Sequence, residues 1–204
     1  MKWIFVFTCF VLPCSLTVAP AIMPTLPANF QAGQGVEIGQ TAPTWKYLPG
    51  TDGKLHSSAE VQSAEACVVV FLCNKCPCSQ GYERRINQLA KDFREANVKV
   101  IAVNANQGPL ENLATMTSRA KDADYTYLRD AQQQLARKFA ARSTPHAFVM
   151  NRHWKVVYSG AFDNDKSGKN VTQPYVRMVV DAVIQGTPIP VAQTKSIGCA
   201  ITFQ

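Results

Sequence analysis

The sequence predicts an α/β fold in which a mixed central sheet lies between layers of helix, with a β-hairpin added on its N-terminal side. Three observations carry that expectation. The run Cys67-Val68-Val69-Val70-Phe71-Leu72 is continuous, apolar and rich in β-branched residues, the pattern of a strand buried on both faces. After Pro77, the residues Tyr82, Ile86, Leu89 and Phe93 recur at helical spacing, and Val98 to Val103 reads as a second buried strand. A strand–helix–strand unit implies a parallel pair joined by a crossover helix. Near the other end, Ala147–Met150 and Lys155–Tyr158 flank the turn Asn151-Arg152-His153-Trp154, which adds an antiparallel edge.

The remaining elements follow in chain order. Lys2, the apolar stretch from Trp3 to Leu12 and Ala19-Pro20-Ala21 together read as a secretory signal, residues 1–21, cleaved before Ile22. An uncleaved anchor is the rival reading. Residues 22–35 form a leader rich in Pro, Ala, Gly and Gln. The main domain is placed at 36–190 and a C-terminal tail at 191–204. Within the domain, Trp45 to Leu48 reads as a strand. It is followed by the turn Gly50-Thr51-Asp52-Gly53 and a second short strand near Leu55. Residues 57–65 read as a helical turn and 77–96 as an amphipathic helix. A helix over 109–122 would place Leu110, Leu113 and Met116 on one face. Tyr125 to Leu128 reads as a short strand and 131–141 as a helix. A last helix opens at Pro174 and runs to about Gln185.

Composition narrows the function classes. Of 204 residues, 47% are hydrophobic and 17% charged, which suits a globular chain with a real core. The net charge of +7 comes from scattered residues with no run of five, so no nucleic-acid partner is expected. No glycine-rich nucleotide loop is present, so no organic cofactor is expected. There are seven cysteines. Cleavage of the signal removes Cys9 and Cys14 and leaves Cys67, Cys73, Cys76, Cys78 and Cys199. Export implies an oxidising compartment, and an odd count there leaves at least one thiol free.

The chemistry concentrates at Cys73-Asn74-Lys75-Cys76-Pro77-Cys78, where strand gives way to helix. Pro77 suits the first helical position, which makes Cys76 the N-cap. A thiol there faces unpaired backbone N–H groups and the positive end of the helix dipole, and Lys75 adds charge; both favour the thiolate. Cys73 lies three residues upstream, within disulfide reach if the turn brings the Cα atoms to about 6 Å. Cys78 is two residues beyond Cys76, and helical i,i+2 positions do not face each other. Cys67 opens the buried strand and reads as a core thiol.

These residues resemble the thioredoxin-fold superfamily. The strand ending in Cys73-Asn74-Lys75-Cys76-Pro77, the Thr144-Pro145 before an apolar strand and the order of elements all look like it. More narrowly they resemble the redoxin group, which includes alkyl hydroperoxide reductase/thiol-specific antioxidant proteins and TlpA-like exported thiol reductases. Gly39-Gln40-Thr41-Ala42-Pro43 and Asp52-Gly53-Lys54 match the N-terminal hairpin that this group adds. The resemblance covers about residues 36–190. It implies a thioredoxin-like three-layer sandwich. It also implies that Pro145 is cis, faces the active cysteine and presents the Thr144 backbone to a substrate chain. The register departs from ordinary thioredoxins. Cys76-Pro77 aligns with their leading cysteine and proline, Ser79 falls where their second cysteine stands, and the partner thiol Cys73 lies upstream. Cys73 also occupies the place where peroxiredoxins carry a threonine.

The expected function is an exported thiol–disulfide oxidoreductase, periplasmic or extracellular. Cys76 is its nucleophile and Cys73 its resolving thiol. Thr144 and Pro145 contact substrate, and Cys78, His146 and Cys199 are accessory candidates. The implied partners are a protein disulfide or a peroxide and an external thiol reductant. Membrane contact follows only if the N-terminal segment stays uncleaved. A thiol peroxidase using the same cysteine is the near alternative. A copper chaperone or sensor is the distant one, with Cys73, Cys76 or Cys78 and His146 supplying soft ligands for Cu(I); the favoured reading places no metal at the site. Cys199 is expected either to staple the tail through Cys67 or Cys78 or to stay free. A second resolving role is the other option.

Overall fold

The computed structural model describes Met1 and residues 35–204, so the signal reading of residues 1–21 and nearly all of the 22–35 leader lie outside the described residues. A five-stranded mixed sheet forms the centre. Its members are β3 (Ala66–Leu72), β4 (Val98–Asn104), β5 (Thr126–Arg129), β7 (His146–Asn151) and β8 (Val156–Gly160), in the order β5-β4-β3-β7-β8. β3 and β4 run parallel, as do β4 and β5, while β7 is antiparallel to both β3 and β8. The parallel pair and antiparallel edge expected from the sequence are both present. So is the hairpin extension, as β1 (Leu48–Pro49) paired with β2 (Leu55–His56). Tyr47 has a positive φ of 57°, which ends the extended backbone and confines β1 to two residues rather than Trp45–Leu48.

β3 is buried along its whole length, and its alternation divides the core. Val68, Val70 and Leu72 face one layer, formed by Tyr82, Ile86 and Leu89 of α1 (Pro77–Asp92) and Val176, Val179 and Val180 of α4 (Tyr175–Gln185). Cys67, Val69 and Phe71 face the other layer, where Leu135, Ala136 and Phe139 of α3 (Gln134–Phe139) meet Phe148 and Met150. Burial on both faces is why this strand reads as an unbroken apolar run rather than an alternating one.

Three helices are shorter than expected, each for a local reason. α1 stops at Asp92, where Phe93 leaves helical backbone (φ −107°, ψ 10°) and the chain turns so that the Val98 N–H donates to the Phe93 carbonyl at 3.2 Å. α2 covers only Leu113–Arg119, since the Asn112 side chain accepts the Thr115 N–H at 2.9 Å and caps the helix there. Leu110, expected on the buried face, is therefore outside the helix and exposed. α3 begins after Asp130, whose carboxylate accepts the Ala136 N–H at 2.8 Å, and ends where Ala140 turns left-handed.

Two short strands go beyond what the sequence predicts. β6 (Ser143–Thr144) precedes Pro145, and β9 (Cys199–Ala200) lies in the tail. They pair antiparallel, Ser143 with Ala200 and Thr144 with Cys199. The tail reaches β6 from an anchor at Thr194. The hydroxyl of Thr194 lies 2.6 Å from that of Tyr158 and accepts the Ala161 N–H at 2.9 Å, while its own N–H donates to the Ser159 carbonyl at 3.1 Å. Among the described residues, no helix is long and apolar enough to cross a membrane.

Candidate active site

Cys76 is the N-cap of α1, with extended backbone (φ −75°, ψ 119°) and Pro77 at the first helical position, as the sequence implies. Its pairing corrects the expectation. Cys76 is bonded to Cys199, with Cα atoms 6.5 Å apart, and not to Cys73. Cys199 is accordingly neither free nor joined to Cys67 or Cys78, each of which remains a free thiol along with Cys73. The physical reason is the direction of the Cys73 side chain. Cys73 directly follows β3 and is buried. Its Sγ lies 3.1 Å from Thr144 Oγ1 and 3.6 Å from Ser79 Oγ, so it is occupied by hydroxyls on the inner side of the site. Cys76 is also buried, whereas Cys199 is exposed.

Thr144 and Pro145 meet the site as the resemblance implies. The Thr144–Pro145 bond is cis, and the Thr144 carbonyl oxygen lies 3.7 Å from Cys76 Sγ. What pairs with Thr144 is the chain's own β9. A groove of roughly 440 Å³ opens beside the disulfide, and its lining includes Cys73, Cys76, Lys75, Glu111 and Cys199.

The loop that carries Cys76 is held by a residue that sequence reasoning misses. Glu111 is 4% exposed. Its carboxylate accepts the Asn74 N–H at 2.8 Å, the Lys75 N–H at 3.0 Å and the Asn104 side-chain amide at 2.8 Å. Asn74 donates to the Leu110 carbonyl at 2.7 Å and accepts from the Tyr127 hydroxyl at 3.3 Å. Ser79 accepts the Cys73 N–H at 3.2 Å, and Gln80 donates to the Asn74 carbonyl at 2.9 Å. The backbone between strand and helix is therefore fixed on both sides. Glu111 lies in a loop without periodicity, and no local pattern marks it.

His146 is not part of the thiol cluster. Its Nδ1 accepts the Arg142 N–H at 3.2 Å, and its Nε2 meets Ser159 Oγ at 3.1 Å. The ring packs on Phe148 at 4.4 Å between centroids. Burial and the nearby Arg142 charge push its pKa down to about 4, so it is neutral at pH 7. With both nitrogens engaged, it supplies no ligand beside the cysteines. The sulfurs that do converge are those of Cys76, Cys78 and Cys199, all within 4.8 Å of one another. They are the residues that would hold a soft cation, and only after the disulfide is reduced, since a disulfide offers no thiolate. Cys67 is a core thiol, as its place in the apolar run implies: burial pushes its pKa up to about 12.

A Redoxin family profile matches residues 37–174. A search of curated proteins finds no match. Among solved structures, the chain is similar to a hypothetical protein from Sinorhizobium meliloti 1021, at 31% identity, covering 84% of this chain and 97% of that one with a TM-score of 0.78. It is similar at 31% identity to an uncharacterized conserved protein from Geobacillus kaustophilus, covering 82% of this chain and 93% of that one with a TM-score of 0.77. A thiol:disulfide interchange protein of the thioredoxin family from Chlorobium tepidum TLS shares the fold at 20% identity, covering 71% and 97% with a TM-score of 0.57. The profile spans most of the chain and the mixed five-stranded sheet agrees with it: the chain is a member of the Redoxin family, built on a thioredoxin fold.

Proposed function

We propose that the protein is an exported thiol–disulfide oxidoreductase in which Cys76 is the nucleophile and Cys199, not Cys73, is the resolving thiol. The observation that carries this reading is the Cys76–Cys199 bond at the helix N-terminus, opposite Thr144. In the reduced protein the Cys76 thiolate, favoured by the end of α1, attacks one sulfur of a substrate disulfide. That disulfide breaks, one substrate half leaves as a thiolate and takes up a proton, and a mixed disulfide remains on Cys76. The Cys199 thiolate then attacks the Cys76 sulfur. The second substrate half leaves, and the Cys76–Cys199 bond forms. Two electrons have passed to the substrate.

An external thiol reductant regenerates the dithiol. Its thiolate attacks the sulfur of Cys199, an exposed residue, and Cys76 departs as the better-stabilised leaving group. A second reductant thiol then frees Cys199.

Insulin reduction by the reduced protein tests the reading, with hydrogen peroxide consumption measured in parallel. Cys76→Ser should abolish turnover, and Cys199→Ser should accumulate the mixed disulfide with substrate. Cys73→Ser should still form an intramolecular bridge on oxidation. Loss of that bridge in Cys73→Ser and its retention in Cys199→Ser would restore Cys73 as the resolver. Peroxide consumption without insulin reduction would replace the reading with a peroxidase.

A further inference from the structure

The tail pairs with the β6 edge and bonds to Cys76, so its own sequence shows what that edge accepts. The contact is mostly main chain. Thr144 pairs with Cys199 and Ser143 with Ala200. The Ile201 N–H donates to the Arg142 carbonyl at 2.9 Å, and Thr144 Oγ1 donates to the Cys199 carbonyl at 3.5 Å. Such bonds hold any extended chain alike. Two positions do select. Ile201 directly follows β9, two residues beyond Cys199. Ile201 is 6% exposed and joins the cluster that holds Phe139 and Ala141. Gly198 is the stricter position. A Cβ there would stand 2.1 Å from the Thr144 carbonyl oxygen and 2.5 Å from its carbonyl carbon. Those are backbone atoms of the residue that pairs with β9, not the end of a side chain that can swing aside. Only glycine lets the two backbones come this close.

We propose that the β6 edge, where the resemblance already implies pairing with a substrate chain, selects segments of the form Gly-Cys-X-aliphatic, with glycine required immediately before the attacked cysteine. The proposal rests on the thiol-exchange function above and names its substrate class. Ala200, the X position, is exposed and imposes nothing. The step is a disulfide exchange: the Cys76 thiolate bonds to the peptide cysteine, that cysteine's former partner leaves as a thiolate and is protonated, and no net oxidation occurs.

The test uses the full-length Cys199→Ser protein, reduced, so that its own tail cannot claim Cys76. The probes are a peptide of residues 195–203 oxidised to its symmetric disulfide, the same peptide with alanine for the glycine, and glutathione disulfide. Release of the leaving thiol gives the rate. The tail competes equally with both peptides. The glycine peptide should react faster than the alanine peptide by about tenfold or more, the scale of an overpacked contact. Glutathione disulfide should react measurably, because it needs no strand pairing. Equal rates for the two peptides, with glutathione disulfide reactive, would overturn the glycine requirement and leave the oxidoreductase reading standing. Failure of all three probes would remove both.

Discussion

Glu111 sets the geometry around the thiol from a position that never touches it. One buried carboxylate receives three N–H groups, two of them from the backbone that leads into Cys76. An amide in its place offers one acceptor oxygen and turns donors toward donors. Glu111→Gln should therefore lower stability by about 1.5–3 kcal/mol, the range for hydrogen bonds to a charged group. A denaturant midpoint measures it, and an unchanged midpoint would show that the loop holds itself. The thiols should separate by reactivity in the reduced protein. Cys67, with its pKa pushed up to about 12, should resist iodoacetamide at neutral pH, while Cys76 labels first. Mass mapping of partial labelling gives the order, and prior labelling of Cys73 would count against Cys76 as nucleophile. His146 predicts a pH dependence. Its folded pKa of about 4 lies below the ordinary 6.5, so the unfolded chain binds the proton first. Its contribution is complete above about pH 6.5 and is lost as pH falls toward 4. Relative to His146→Gln, the wild type should lose roughly 2–3 kcal/mol across that window, since a tenfold difference in proton affinity between the folded and unfolded chain is worth about 1.4 kcal/mol. Parallel unfolding curves at both ends of the window would refute it.

At the level of elements, legibility follows periodicity. β3, α1 and β4 are readable because each repeats its signal over several residues, as a continuous apolar run or as a helical stripe. The shortened α2 is not, because Asn112 and its cap decide the start and a capping side chain looks like any other asparagine. β6 and β9 hold two residues each, too few for any period to show. The Cys76 junction is legible from Pro77 alone, yet its partner is not. A sequence separation of 123 leaves no local trace, whereas the adjacent Cys73 offers a spacing that satisfies reach without satisfying direction. The tail element can be tested by itself. Gly198→Ala should keep β9 from seating against Thr144 and slow closure of the disulfide when an oxidant such as oxidised glutathione is added to the reduced protein, with the sheet intact by circular dichroism. Closure at the wild-type rate would mean that the tail reaches Cys76 without pairing to β6.

For the whole molecule, the disulfide joins the first turn of α1 to the last strand and encloses most of the domain. Closing a loop of this size removes about 4–5 kcal/mol of chain entropy from the unfolded state in the simplest treatment, with typical measured gains of about 2–4. Reduction should lower the melting temperature of the wild type by about 5–10 °C, because roughly 1 kcal/mol corresponds to about 2–4 °C at this size. Cys199→Ser should melt where the reduced wild type does, and Cys73→Ser should keep the redox-dependent shift. A Cys199→Ser protein as stable as the oxidised wild type would show that the bond constrains little.

The anchor at Thr194 extends this point. Only Lys195, Ser196, Ile197 and Gly198 separate that fixed residue from Cys199. A ligand held on so short a tether acts at an effective concentration of about millimolar or above. Any dissolved polypeptide meets a site already contested by an occupant it cannot outnumber. Substrates are then sorted by how far their own contacts exceed those of the tail, and the tail sets the threshold that a partner has to pass.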